Sequence, residues 1–174
     1  MAIDILLPTG TTGTNNWTCS TGSDFVDIVD EDDDSTYIYE ISINGEINYT
    51  FANPSVPSAD IDFSKDVTVT AYINAHYTHP SLGVNLSITT NGLGISLPAI
   101  VVSVDDSAYP TYTGQSGTTK SIGNNWDYIG LNNIQMKLIC TGRPARFMQL
   151  RVSFIYFKIN YTPTQKGVFF GANF

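Results

Sequence analysis

The densest run of potential ligands is Asp30, Glu31, Asp32, Asp33 and Asp34, in which Asp30, Asp32 and Asp34 repeat the 1, 3, 5 spacing of a calcium loop. The template fails at its most demanding positions. The sixth residue is Ser35 instead of glycine, and the twelfth is Ile41 instead of a bidentate glutamate. The run is therefore expected to be a solvated acidic turn between two strands, holding no metal. Gly114 opens a near match to a phosphate-binding loop that ends in Lys120 and Ser121, but Thr119 stands where the second glycine is needed. The residues that follow, Ile122, Gly123, Asn124 and Asn125, do not start a helix, so no nucleotide is expected. His76 and His79 lie three apart, which on an extended chain points them to opposite faces. The acid pairs Asp60/Asp62 and Asp105/Asp106 sit in turn-like segments, where aspartate caps backbone. The sequence thus assigns no catalytic residue, no cofactor and no metal site, and an enzyme is not expected. Tyr109, Tyr112, Trp126 and Tyr128 gather around one long loop, either as a cap on the fold or as a sugar-stacking platform.

The elements that would carry these residues read as strands. Val67, Val69, Ala71 and Ile73 alternate with polar neighbours, as do Val84, Leu86 and Ile88, and Ile134, Met136, Leu138 and Cys140. In residues 37–43 the odd positions Tyr37, Tyr39, Ile41 and Ile43 are apolar. Asn44 and Gly45 then read as a hairpin turn into Ile47, Tyr49 and Phe51. Ile100 begins a further strand, and one or two helical turns are expected near residues 128–133. Over residues 146–161 both faces are apolar: Leu150, Val152, Phe154 and Tyr156 on one, Ile155, Phe157, Ile159 and Tyr161 on the other. A strand with one wet face would not read this way. The expected fold is all-β: a single antiparallel β-sandwich, jelly-roll-like, over residues 19–162. An extended N-terminal arm (1–18) and a C-terminal tail (163–174) flank it.

Composition agrees. The 174 residues include 20 Thr, 15 Ser, 14 Asn, 10 Tyr and 9 Phe, and only 14% are charged. The net charge of −8 excludes the basic footprint of a nucleic-acid binder. Residues 1–66 carry 13 acidic and 1 basic side chains, while residues 67–174 carry 3 and 7. No apolar run approaches the ~20 residues of a membrane helix. The start lacks the basic and apolar regions of a signal peptide, so synthesis in a cytoplasm without secretion is expected. Cys19 and Cys140 have no metal-ligand spacing and are expected as thiols.

One longer pattern is familiar. Trp17, followed by the block over residues 25–38 in which the acidic turn runs into Thr36, Tyr37 and Ile38, resembles a signature of structural proteins of tailed bacteriophages. The block over residues 126–137, with Trp126 ahead of Leu131 and Asn132, is similar to its partner segment, and residues 146–161 to the closing strand of such domains. The resemblance implies a jelly-roll or sandwich virion component without catalytic residues. The short chain has no coiled coil, collagen-like stalk or shaft repeat, which favours a capsid decoration or cement protein on the virion surface. The alternative is a receptor- or carbohydrate-binding protein of the head fibre or tail. The expected partners are the major capsid protein or other virion proteins and further copies of the chain in a homotrimer. Ile155, Phe157 and Ile159, with Phe169, Phe170 and Phe174 of the tail, are the expected interface. The tail docks either on a neighbour or on the chain's own body.

Overall fold

Alternation of apolar and polar residues decides which side of each strand is buried, and it does so most cleanly where no bulge intervenes. A computed structural model describes residues 1–21, 25–26, 36–40, 44–77, 84–89, 100–102, 118–121, 128–140 and 149–165. They form eleven strands: β1 (Ala2–Leu6), β2 (Pro8–Thr12), β3 (Thr18–Cys19), β4 (Ile38–Glu40), β5 (Glu46–Phe51), β6 (Thr68–Tyr77), β7 (Val84–Thr89), β8 (Ile100–Val102), β9 (Thr118–Ser121), β10 (Gln135–Cys140) and β11 (Leu150–Tyr161). Helix among the described residues is confined to one 3-10 turn at Ser58–Asp60 and to α1 (Tyr128–Asn132), where the sequence predicts it. The fold is all-β.

The strands make two antiparallel sheets. The first has the order β3-β4-β11-β6-β9, with β1 added on β11 beside β4; the second has the order β2-β5-β10-β7-β8. β11 is the axis of the first sheet. It pairs with β6 along nearly its whole length, while its other edge is shared by β4 at Leu150–Val152 and by β1 from Phe157 to Tyr161. Residues 67–73 bury Val67, Val69, Ala71 and Ile73, and β10 buries Met136, Leu138 and Cys140, as their alternation predicts. Buried side chains from both sheets form one cluster, and the rings of Phe51 (β5) and Phe157 (β11) meet across it at 4.5 Å.

Three expectations are corrected. The Asn44-Gly45 turn is not a hairpin, because β4 belongs to the first sheet and β5 to the second. The turn is a corner between sheets. Asn44 takes a positive φ of 65°, its N–H donates to the Cys140 carbonyl at 2.7 Å, and the Cys140 N–H donates to the Gly45 carbonyl at 3.0 Å. The face of β4 is also inverted: Ile38 and Glu40 are buried, whereas Tyr37 and Tyr39 are half-exposed. Finally, residues 1–18 are extended but are not an arm outside the sheets. β1 lies in the first sheet and β2 in the second, with Leu7 alone between them, so this segment straps the two together. Leu6 and Trp17 are buried in the shared cluster.

Local hydrogen bonds hold this frame. The Trp17 indole N–H donates to the Gly45 carbonyl at 3.2 Å, and the Trp17 backbone N–H donates to Asn15 Oδ1 at 3.0 Å. Tyr49, fully buried on β5, donates its hydroxyl to the Phe25 carbonyl at 3.1 Å. The Asp4 carboxylate accepts from the Ser55 N–H at 2.8 Å and the Ser55 hydroxyl at 2.9 Å, pinning β1 to the loop after β5.

Candidate interaction face

The outer face of the first sheet is shaped by a β-bulge. The register between β11 and β6 shifts between Val152 and Phe154. Ser153 is the extra residue, itself buried. A bulge adds one residue to one strand and reverses the side-chain parity beyond it. Leu150 and Val152 therefore point inward before the bulge, and Ile155, Phe157 and Ile159 after it, all at 0% exposure. The expected assignment of Ile155, Phe157 and Ile159 to an interface between chains is accordingly corrected, because they are core of their own chain. The other expected interface residues, Phe169, Phe170 and Phe174, lie outside the described residues.

What the bulge turns outward is aromatic. Tyr156 faces Tyr72 across the β11–β6 ladder, their rings stacked at 4.5 Å and 21°. Phe154 completes the group, 6.0 Å from Tyr72 and 5.1 Å from Tyr156. All three are half-buried. Along the same face Lys158 lies between Ile5 of β1 and Thr70 of β6, and Asn160 between Ile3 and Thr68. Ile3 and Ile5 are 57% and 45% exposed. Toward β4, Arg151 stands opposite Tyr39, with its guanidinium 4.3 Å above the Tyr37 ring.

The two sheets differ here. The outer side of the second sheet pairs Gln135 with Thr50, Lys137 with Asn48 and Ile139 with Glu46, and Lys137 forms an ion pair with Glu46. That is an ordinary solvated face. The first sheet offers aromatic rings, two isoleucines and two cations, with no carboxylate among its described outward side chains. Tyr, Phe and Arg are the residues that anchor protein interfaces. The arrangement suits binding. Among the described residues there is no cluster of three or more His, Cys, Asp or Glu.

Lys120 and Ser121, the end of the near-match phosphate loop, belong to β9 and pair with Ala71 and Thr70 of β6. His76 lies in β6 opposite Arg151. Cys140 is buried and Cys19 half-buried, and neither forms a disulfide. Residues 30–34, His79, Asp105, Asp106, Tyr109, Tyr112 and Trp126 lie outside the described residues. Tyr72, Phe154, Ile3 and Ile5 were not legible as a site. The available signal was Ser153, a polar residue interrupting an apolar run where a bulge would restore consistent burial. No family model matches the chain, and no curated protein matches it.

Proposed function

We propose that this chain is a non-enzymatic virion structural protein, a capsid decoration or cement protein that binds the outer capsid surface and stabilises the shell. It acts as a homotrimer in contact with the major capsid protein and is made in the host cytoplasm. The observation that carries the reading is the strand order. Pairs nest about the β7–β8 contact: β7 with β8, β6 with β9, β5 with β10 and β4 with β11. A single long antiparallel hairpin rolled into two sheets would give that order, which supports a jelly roll of the kind used by viral capsid and lectin domains. Fold analogy alone does not assign function. Two further features support it. The residues that carry the bacteriophage resemblance include Trp17 and Ile38, which are buried in the core cluster, and Phe25, which packs against that cluster. The outer aromatic face supplies a binding surface.

A cement protein binds only the assembled shell and so stabilises it by mass action. The test is reconstitution. Capsids assembled without this protein are mixed with the purified chain, sedimented, and heated. The reading expects saturable binding at hundreds of copies per particle and a higher shell-disruption temperature. Failure to bind, or binding without stabilisation, overturns it. The half-buried Tyr72–Tyr156 stack favours a second reading, a glycan- or receptor-binding protein of the head fibre or tail, because aromatic faces stack on sugars. Binding to a glycan array together with a few copies per particle would select that reading instead.

A further inference from the structure

We infer that the outer aromatic and cationic face of the first sheet is the docking surface for a second copy of this chain, which presents the acidic loop around Phe63. The inference rests on the self-association proposed above and names the surfaces that make it.

Charge complementarity identifies the occupant. The chain carries a net charge of −8, so a face bearing Arg151 and Lys158 and no described carboxylate stands apart from the protein as a whole. The loop between the 3-10 turn and β6 is its opposite: Asp62 and Asp66 flank Phe63, with Lys65 the single cation among them. Phe63 is 36% exposed, an aromatic residue at the surface with an aspartate on either side of it in the chain. The loop is also held in shape. The Asp62 N–H donates to the Thr162 carbonyl at 2.9 Å, the Lys65 N–H donates to the Asp62 carbonyl at 3.0 Å, and Asp62 Oδ1 accepts from the Ser64 N–H at 3.0 Å. A preformed loop loses little conformational freedom on docking. An aromatic anchor framed by acids fits a face of Tyr72, Phe154 and Tyr156 framed by Lys158 and Arg151.

Where the loop of one copy meets the sheet face of the next without the reverse contact, the interface is heterologous; the reciprocal arrangement would close a two-fold dimer instead. Heterologous contacts generate closed rings where the rotation closes, and a homotrimer is the smallest such ring. Opposite charges at the rim chiefly steer association, so its rate falls with salt.

Sedimentation velocity on the full chain, over a concentration series at low salt and at about 1 M NaCl, where the screening length is ~3 Å, tests this. The wild type is expected to associate, more weakly at high salt. Lys158→Glu, on the rim of the face, is expected to weaken association at least tenfold while leaving the far-UV spectrum and melting temperature unchanged. Phe63→Ala is expected to do the same from the other side. Adding Asp66→Lys to Lys158→Glu is expected to restore association. A wild type that stays monomeric throughout overturns the self-association reading and this inference with it. A wild type that associates while Lys158→Glu and Phe63→Ala associate equally well overturns this inference alone and leaves self-association standing. Should either substitution lower the melting temperature, Tyr156→Ser and Arg151→Glu read out the same face, and unaltered association in both sinks the assignment.

Discussion

At the scale of single residues, the corner at Gly45 is the tightest constraint. A Cβ built there would lie 1.9 Å from Glu40 Oε2 and 2.2 Å from its Cδ, with Glu40 only 2% exposed. A larger residue must push a buried carboxylate out of its place, and the Trp17 bond to the Gly45 carbonyl moves with it. Gly45→Ala is therefore expected to cost about 1–3 kcal/mol, as overpacking does, which lowers the melting temperature by roughly 2–12 °C in a chain of this size. Calorimetry checks it, and a melting point within a degree of wild type would refute the clash. Asp62 makes a weaker, pH-dependent contribution. The Ser64 hydroxyl, the Ser64 N–H and the nearby Lys65 together hold its carboxyl below the ordinary value of 3.8. A group whose folded value is depressed adds stability above its unfolded value and loses it as pH falls through the folded one. Asp62→Ala is expected to lower the urea midpoint slightly at neutral pH, with the difference from wild type shrinking as the pH falls below 3.8 and through the depressed folded-state value. A difference that persists or grows in acid would contradict the sign.

At the scale of elements, β11 shows what a sequence reveals about a strand and what it hides. The uninterrupted segments at residues 67–73 and at β10 were legible because period-two alternation maps directly onto one buried face. So was α1, whose Leu131 is buried while Ile129 stands 73% exposed. In β11 the bulge at Ser153 breaks the period, so counting even and odd positions through it mixes core with surface. In β4 the inward residues are Ile38 and Glu40, and an ionisable side chain such as Glu40 argues against the inner face until the corner it covers is known. The Asn-Gly pair was legible as a turn, but turn chemistry does not say whether the next strand joins the same sheet. The candidate face was hidden for the same reason as the bulge that makes it. Paired substitutions test the parity directly. Phe157→Ala empties a fully buried site and is expected to cost about 3–5 kcal/mol. Phe154→Ala removes a half-buried ring from a surface cluster and is expected to cost about 1 kcal/mol. Equal losses in chemical denaturation, or a larger one at Phe154, would mean that the register beyond Ser153 is wrong.

At the scale of the whole molecule, the nested pairing makes the N-terminal strap important. Every pair from β7–β8 outward to β4–β11 closes a longer loop than the one inside it, so the outermost pair costs the most chain entropy. β4 covers only Leu150–Val152 of β11, which leaves the C-terminal half of that edge to β1. The strap fills it with a ladder running from Ala2 to Leu6, buries Leu6 against the shared core, and is fastened by Asp4 to Ser55. β2 then crosses into the second sheet and pairs with β5. A free arm would contribute none of this to the stability of the domain. Removal of residues 1–7 is expected to expose the edge of β11 from Phe157 to Tyr161 and to lose at least the 2–5 kcal/mol of a buried leucine. At about 2–4 °C per kcal/mol the melting temperature should fall by roughly 5 °C or more. Ser55→Ala, which removes one of the fastening bonds, should lower it by a fraction of that amount. Hydrogen exchange on the truncated chain should show faster exchange in β11 beyond Phe157 than in β10, because the lost ladder lies on one sheet only. A truncated chain that melts with the wild type would show that β1 binds too weakly to count as part of the fold. The first sheet would then be stable with half of one edge of its central strand open, which the long apolar run of β11 argues against.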